Sequence, residues 1–196
     1  MFANLQPILF RGFMWIAVLA ACSVAMHAQS PKGWLIAGSK PTAYESGIDV
    51  LAAYNGHPSA YLKADVPVVS GFGTLMQDFR ADHYLGKKVR FRAFLKTDRA
   101  QVWAGLWMRV DRTGRPVAFD NMHDRPVTGT TNWKQYDIVL DVPQDATSIS
   151  LGVLLIGSGE VWLNGPKFEA VGPNVLPTNG DVVQKPDEPT NLDFEQ

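Results

Sequence analysis

From Gly33 onward, apolar and polar residues alternate with a period of two, and Gly, Pro, Asn and Asp interrupt the pattern roughly every eight to twelve residues. This spacing marks antiparallel strands of a sandwich or barrel, and no segment shows a convincing 3.6-residue helical period. Candidate strands cover residues 34–37, 48–53, 59–64, 73–80, 88–97, 102–111, 116–121, 135–142, 148–156 and 160–169. Asn55-Gly56 and Arg112-Thr113-Gly114-Arg115 are hairpin signals, since Asn and Gly tolerate the positive φ of tight antiparallel turns. About ten strands without βαβ spacing predict an all-β fold of two stacked antiparallel sheets, a jelly-roll sandwich.

Alternation divides each strand into an inner and an outer face. In 88–97, Val89, Phe91, Ala93 and Leu95 form the core set, opposite Arg90, Arg92, Phe94 and Lys96. In 102–111, Val102, Ala104, Leu106, Met108 and Val110 face inward, leaving Trp103, Gly105, Trp107, Arg109 and Asp111 on the other side. Tyr136, Ile138, Leu140 and Val142 continue the core, as do Ile149, Leu151, Val153 and Leu155.

The outer face of 102–111 carries the most informative chemistry. An indole ring stacks on the apolar C–H face of a pyranose, while Arg, Asp and Asn exchange hydrogen bonds with its hydroxyls. An apolar lining with a few placed polar groups is also the general make-up of small-molecule sites. Trp103, Trp107 and Arg109 are therefore candidate ligand-binding residues, with Asp120, Asn121 and Arg125 as a rim from the polar stretch that follows. Two plainer readings compete: the tryptophans close a second small core beneath residues 116–131, or Arg90 and Arg92 form cross-strand ion pairs with Asp137 and Asp141. His57, His83 and His123 stand far apart, without metal-ligand spacing. Asp78 and Asp120 are available carboxylates for a glycoside-acting hydrolase, but no pair is assignable to acid and base roles, and no serine sits in a nucleophile elbow. A noncatalytic binding module is the expected class, with a structural or protein-interaction sandwich as the first alternative and the hydrolase as the second.

Composition narrows the partners. The 196 residues carry 18 basic and 19 acidic side chains, a net charge of −1 without a basic cluster, which argues against nucleic acid as a ligand. The single cysteine, Cys22, excludes an intramolecular disulfide and any multi-cysteine zinc site within the chain. Residues 1–29 have the layout of an export leader: Arg11, an apolar run over 13–21, then small residues including Ala25 and Ala28 as cleavage positions. Leu19-Ala20-Ala21-Cys22 is similar to a bacterial lipobox, in which the cysteine is lipidated. Either route predicts an extracytoplasmic protein, secreted or lipid-anchored through Cys22, whose only membrane contact is that leader or lipid. The run is short for a spanning helix.

Longer motifs add a resemblance. Gly33-Trp34-Leu35-Ile36-Ala37-Gly38-Ser39, Gly71-Phe72-Gly73-Thr74-Leu75-Met76-Gln77, Trp103-Ala104-Gly105-Leu106-Trp107-Met108-Arg109-Val110-Asp111, Phe119-Asp120-Asn121-Met122, Gly129-Thr130-Thr131-Asn132-Trp133-Lys134 and Val139-Leu140-Asp141-Val142-Pro143 resemble a bacterial domain found alone or fused to AraC-type transcriptional regulators. The resemblance covers about residues 33–171 and implies a galactose-binding-like jelly roll of the kind used by carbohydrate-binding modules. Where the family has Trp-x-Asp-Asp before the last strand, this chain has Trp162-Leu163-Asn164-Gly165, so a calcium site using those acids is unsupported and no cofactor is expected.

The chain therefore divides into a leader (1–29), a sandwich (30–171), a proline-bearing linker (172–190) and a terminal strand (191–196). Asn191-Leu192-Asp193-Phe194-Glu195 alternates like a strand, while the Gly33-Trp34 motif lacks the Asn-x-x-Phe-Glu strand that precedes it in related sandwiches. Leu192 and Phe194 are expected to dock on the sandwich or on a partner copy.

Overall fold

A computed structural model describes residues 30–178. The leader and the terminal strand lie outside the described residues. Nine strands follow in chain order: β1 (Leu35–Gly38), β2 (Tyr44–Tyr54), β3 (His57–Ala64), β4 (Phe72–Arg80), β5 (Lys88–Arg112), β6 (Arg115–Asp120), β7 (Val127–Asp141), β8 (Ser148–Ile156) and β9 (Glu160–Val171). Among the described residues, the helical pieces are two single 3-10 turns, Pro41–Ala43 and Asp82–Tyr84. All pairings are antiparallel.

The two layers arise from one bent ribbon. β5 is a single strand of 25 residues where the alternation predicts two. Its first half, Lys88 to Asp98, pairs with β9, and its second half, Trp103 to Asp111, pairs with β8. The ribbon of β5 against β8 and β9 turns a corner between these halves, where Arg99 has φ +49° and Gly157 and Gly159 have φ +75° and +119°. A Cβ on Gly159 would collide with the Arg99 carbonyl oxygen, so the corner requires glycine there. The first layer then runs β7, β5, β9, β3, β2, and the second runs β6, β5, β8, β4, β1. Tyr44 braces the corner by donating its hydroxyl hydrogen to the Gly157 carbonyl at 2.8 Å.

Between the layers lie Phe91, Leu95, Leu106, Met108, Ile138, Leu140, Ile149 and Leu155, all fully buried and all on the faces that alternation assigns to the core. Val102 departs from that assignment. It is 49% exposed, because it sits on the bend, against Gly157, where inward and outward faces exchange. The two hairpin signals hold: Asn55-Gly56 and Thr113-Gly114 are consecutive positive-φ pairs, the geometry that matches strand twist in two-residue turns.

On the outer face of the first layer the expected ion pairs are rearranged. Arg90 lies opposite Val139 and donates instead to Glu169 on β9, at 2.7 Å from Nη2. Arg92 lies opposite Asp137 yet approaches Glu169 at 3.7 Å, and Asp141 pairs with Lys88. Hydrogen bonds from Arg90, then from Lys167 at 2.9 Å, hold the Glu169 carboxyl down to about 2, well below its ordinary value. A carboxyl depressed in the folded state contributes stability that is complete above its unfolded pKa of about 4.3 and is lost as pH falls through that range toward 2. In urea unfolding across pH, the wild-type advantage over Glu169→Gln should therefore shrink below about pH 4.5 and vanish only below about pH 2. For the core, Leu106→Ala should cost about 2–5 kcal/mol, whereas Leu51→Ala, at a position 94% exposed, should change stability by less than about 0.5 kcal/mol in the same assay.

Candidate functional site

The second layer presents its outer face as a groove. β5 supplies Trp107 and Arg109, which lie opposite Gly152 and Ser150 of β8, and these lie opposite Met76 and Asp78 of β4. On the other flank Phe119 of β6 is registered with Arg109, and on the far edge Ala37 of β1 is registered with Thr74. Small residues hollow the surface between large ones: Gly152 and Gly38 stand where a Cβ would strike the neighbouring backbone, and Ala37 is little larger. The resulting cavity is about 410 Å³, lined by Phe72, Thr74, Met76, Trp107, Arg109, Phe119, Asn121, Leu154 and Ile156 together with Ala37 and Gly38. This size falls within the range of small-molecule sites.

Trp107 forms part of the groove without standing out from it. It is 8% exposed, and its indole N–H donates to the Thr74 hydroxyl at 2.6 Å, which in turn donates to the Val153 carbonyl at 2.9 Å. The accessible aromatic surface comes from Phe72 and Phe119, which are 37% and 48% exposed. Arg109 reaches Asp111 through both Nε and Nη2 at 2.9 Å, and both bonds end on the same carboxylate oxygen. The other oxygen of Asp111 is buried without a partner among the described residues. Removing Arg109 would therefore leave a buried carboxylate wholly unpaired, so this arginine carries structural weight as well as surface charge.

Of the six residues singled out from the sequence, Trp107, Arg109 and Asn121 line one groove. Trp103 is half-buried, and its ring folds back over Gly105: a Cβ there would lie 3.2 Å from Trp103 Cζ3 and 3.2 Å from Met122 Cβ. Asp120 and Arg125 do not line the groove. Asp120 shares the register of inward-facing Met108, is buried, and accepts from the Met122 N–H at 2.8 Å, Arg125 Nη2 at 2.6 Å and the Thr178 hydroxyl at 2.6 Å. That clamp fixes the turn after β6, where Met122 takes φ +61° and places its sulfur 3.2 Å from the Leu106 N–H. One residue of alternation separates Asp120 from groove-lining Phe119 and Asn121, which is why a contiguous polar stretch divides between clamp and rim.

Phe72, Thr74, Met76, Phe119, Leu154 and Ile156 were not singled out from the sequence. The available signal for Leu154 and Ile156 was the continuous apolar run Val153-Leu154-Leu155-Ile156, which makes the end of this strand apolar on both faces. Asp78 accepts from the Ser150 hydroxyl at 2.5 Å on the outer face, whereas Asp120 is turned into its clamp, so the two carboxylates proposed for hydrolysis are separately engaged. Among the described residues, no group of three or more His, Cys, Asp or Glu is placed to hold a metal ion.

No protein-family model matches the chain. It is 48% identical over 171 residues to an uncharacterized HTH-type transcriptional regulator, YbfP, of Bacillus subtilis (strain 168). The match takes in 84% of this chain but 57% of that protein, so the chain spans little more than half the length of its curated relative. Among solved structures, the CBM22-1 xylan-binding domain of Paenibacillus barcinonensis Xyn10C superposes with a TM-score of 0.53 at 14% identity, covering 74% of this chain and 90% of that one. The Stig cyclase Fisc of Fischerella sp. TAU, solved with an indole compound, gives 0.53 at 14% identity, covering 74% and 87%. The C-terminal family 22 carbohydrate-binding module of Clostridium thermocellum Xyn10B gives 0.50 at 16%, covering 75% and 90%. The chain thus has the antiparallel jelly-roll sandwich fold of the family 22 carbohydrate-binding modules.

Proposed function

We propose that this protein is a noncatalytic, extracytoplasmic module that binds carbohydrate or a related polyhydroxylated ligand in the groove of the second layer. The observation that carries the reading is the pairing of two half-exposed phenyl rings, Phe72 and Phe119, with Arg109 and Asn121 around one concavity of about 410 Å³. Rings of this kind cover the apolar C–H face of a sugar. The Asn121 amide both donates to and accepts from hydroxyls, and the guanidinium donates. Arg109 is already neutralised by Asp111, so the groove suits a neutral ligand better than an anionic one. The fold shared with xylan-binding modules supports the same reading. The extracytoplasmic setting rests on the leader-like residues 1–29 and the lipobox-like Cys22. The resemblance to a domain fused to AraC-type regulators, and the regulator name of the relative, support a sensing use of the same binding chemistry in longer proteins.

A protein-interaction sandwich is the second reading. It is favoured by the burial of Trp107 and the internal use of its N–H, which leave an apolar groove able to receive a side chain of another protein.

Titration with xylo- and galacto-oligosaccharides, after a glycan-array screen, distinguishes the two. The proposal expects saturable binding by the folded protein, weakened about 5–30-fold by Phe119→Ala or Phe72→Ala, the loss of roughly 1–2 kcal/mol for one stacked ring. These variants spare the Arg109–Asp111 pair. Silence across the array from folded protein would overturn the sugar reading in favour of a protein partner.

A further inference from the structure

We propose that the C-terminal segment 191–195 completes the first layer by adding as a strand to the open edge of β9, with Leu192 and Phe194 filling an aromatic cleft between the layers. β3 covers β9 only from Glu160 to Leu163. Among the described residues, β9 from Gly165 to Val171 is paired on its β5 side alone, and its residues there are exposed or half-buried. An uncovered edge of this length is a template for another strand.

Beside that edge a cleft of about 410 Å³ enters the sandwich. Trp34, Phe79, Tyr84 and Phe168 form its walls, and the core residues Phe91 and Leu151 are reached within it. The rings already pack edge to face, with Phe79 and Tyr84 at 5.3 and 4.8 Å from Phe168. A strand laid on the edge would turn alternate side chains into this cleft.

The chain itself carries a matching segment. Eighteen residues follow Thr178, and in Asn191-Leu192-Asp193-Phe194-Glu195 both apolar side chains fall on one face, with polar side chains on the other. Thr178 lies on the free side of β7, donating its N–H to the Val139 carbonyl and accepting the Val139 N–H at its hydroxyl, so the vacant position beyond β9 is four strand spacings away, about 19 Å at 4.8 Å each. The twelve residues 179–190 reach up to about 40 Å when extended, ample for a path around the layer. Charge agrees as well. On the outer face beside the edge, Arg90, Arg92 and Lys167 all converge on Glu169, with Asp137 opposite Arg92, three cations to two carboxylates, and Asp193 and Glu195 would bring negative charge to this cationic face.

The full chain with Leu192→Asp and Phe194→Asp tests the docking by amide hydrogen exchange. The expected result is faster exchange at Lys167–Val171, by at least about tenfold, with the β5–β8 ladder unchanged. Identical exchange in wild type and variant would overturn the proposal. Should the variant fail to fold, a nitroxide at Gln196→Cys in a Cys22→Ser background replaces it. Broadening of the Trp34 and Phe168 resonances that survives dilution with unlabelled, nitroxide-free protein supports docking within the chain. Absence of broadening, or broadening that disappears on dilution because the tail sits on a second copy, overturns it.

Discussion

The architecture depends on one bend. A ribbon of β5 against β8 and β9 runs the length of both layers, and everything else is hung from it: β7, β3 and β2 on one half, β6, β4 and β1 on the other. Folding the ribbon back brings the inward residues of its own two halves, Phe91 and Leu95 against Leu106 and Met108, into one core. The bend is possible because Gly157 and Gly159 take φ values that other residues rarely adopt, and because Gly159 has no Cβ to strike Arg99. Tyr44, reaching across from β2 to the Gly157 carbonyl, ties the edge of the first layer to the corner. A strand that crosses both layers couples them mechanically, so the groove on one outer face stands on the same backbone as the charged face of the other.

The two outer faces differ because their side chains satisfy different needs. On the first layer, long cationic side chains reach across strands to a shared glutamate. On the second, glycine and alanine alternate with large apolar residues, and a concavity remains that no side chain of the described chain fills. Its polar groups are held before any ligand arrives: Thr74 is fixed by Val153 and Trp107, and Arg109 by Asp111. Preorganisation of this kind reduces the ordering cost of binding.

The sandwich was legible because its elements are written in short-range pattern. Segment 148–156 coincides with β8, and most other segments differ from their strands at the ends, but 135–142 covers less than half of β7, whose residues 127–134 pair irregularly with β5 through register shifts that alternation does not reveal. The fusion of 88–97 and 102–111 into one strand escaped the pattern, since a bent strand and two strands alternate in the same way. The candidate site was half legible. Trp107, Arg109 and Asn121 emerged from the face assignment, while Phe72 and Leu154 joined them only through strands distant in sequence.

What the sequence alone determined is the class of fold, the inward and outward faces of most strands and the turn positions, because each depends on residues one or two apart obeying the geometry of a pleated chain. What the tertiary structure decided is which outward faces meet. Register between β4, β8 and β5 places Thr74 beneath Trp107, and the turn after β6 swings Asn121 to the groove while drawing Asp120 and Arg125 into a clamp with Thr178. Those outcomes depend on long-range pairing and on which face of β6 that pairing turns inward. Neither is encoded in the identity of Asp120 or Arg125, whose side chains serve equally well as ligand contacts or as anchors until a neighbouring strand supplies the partner.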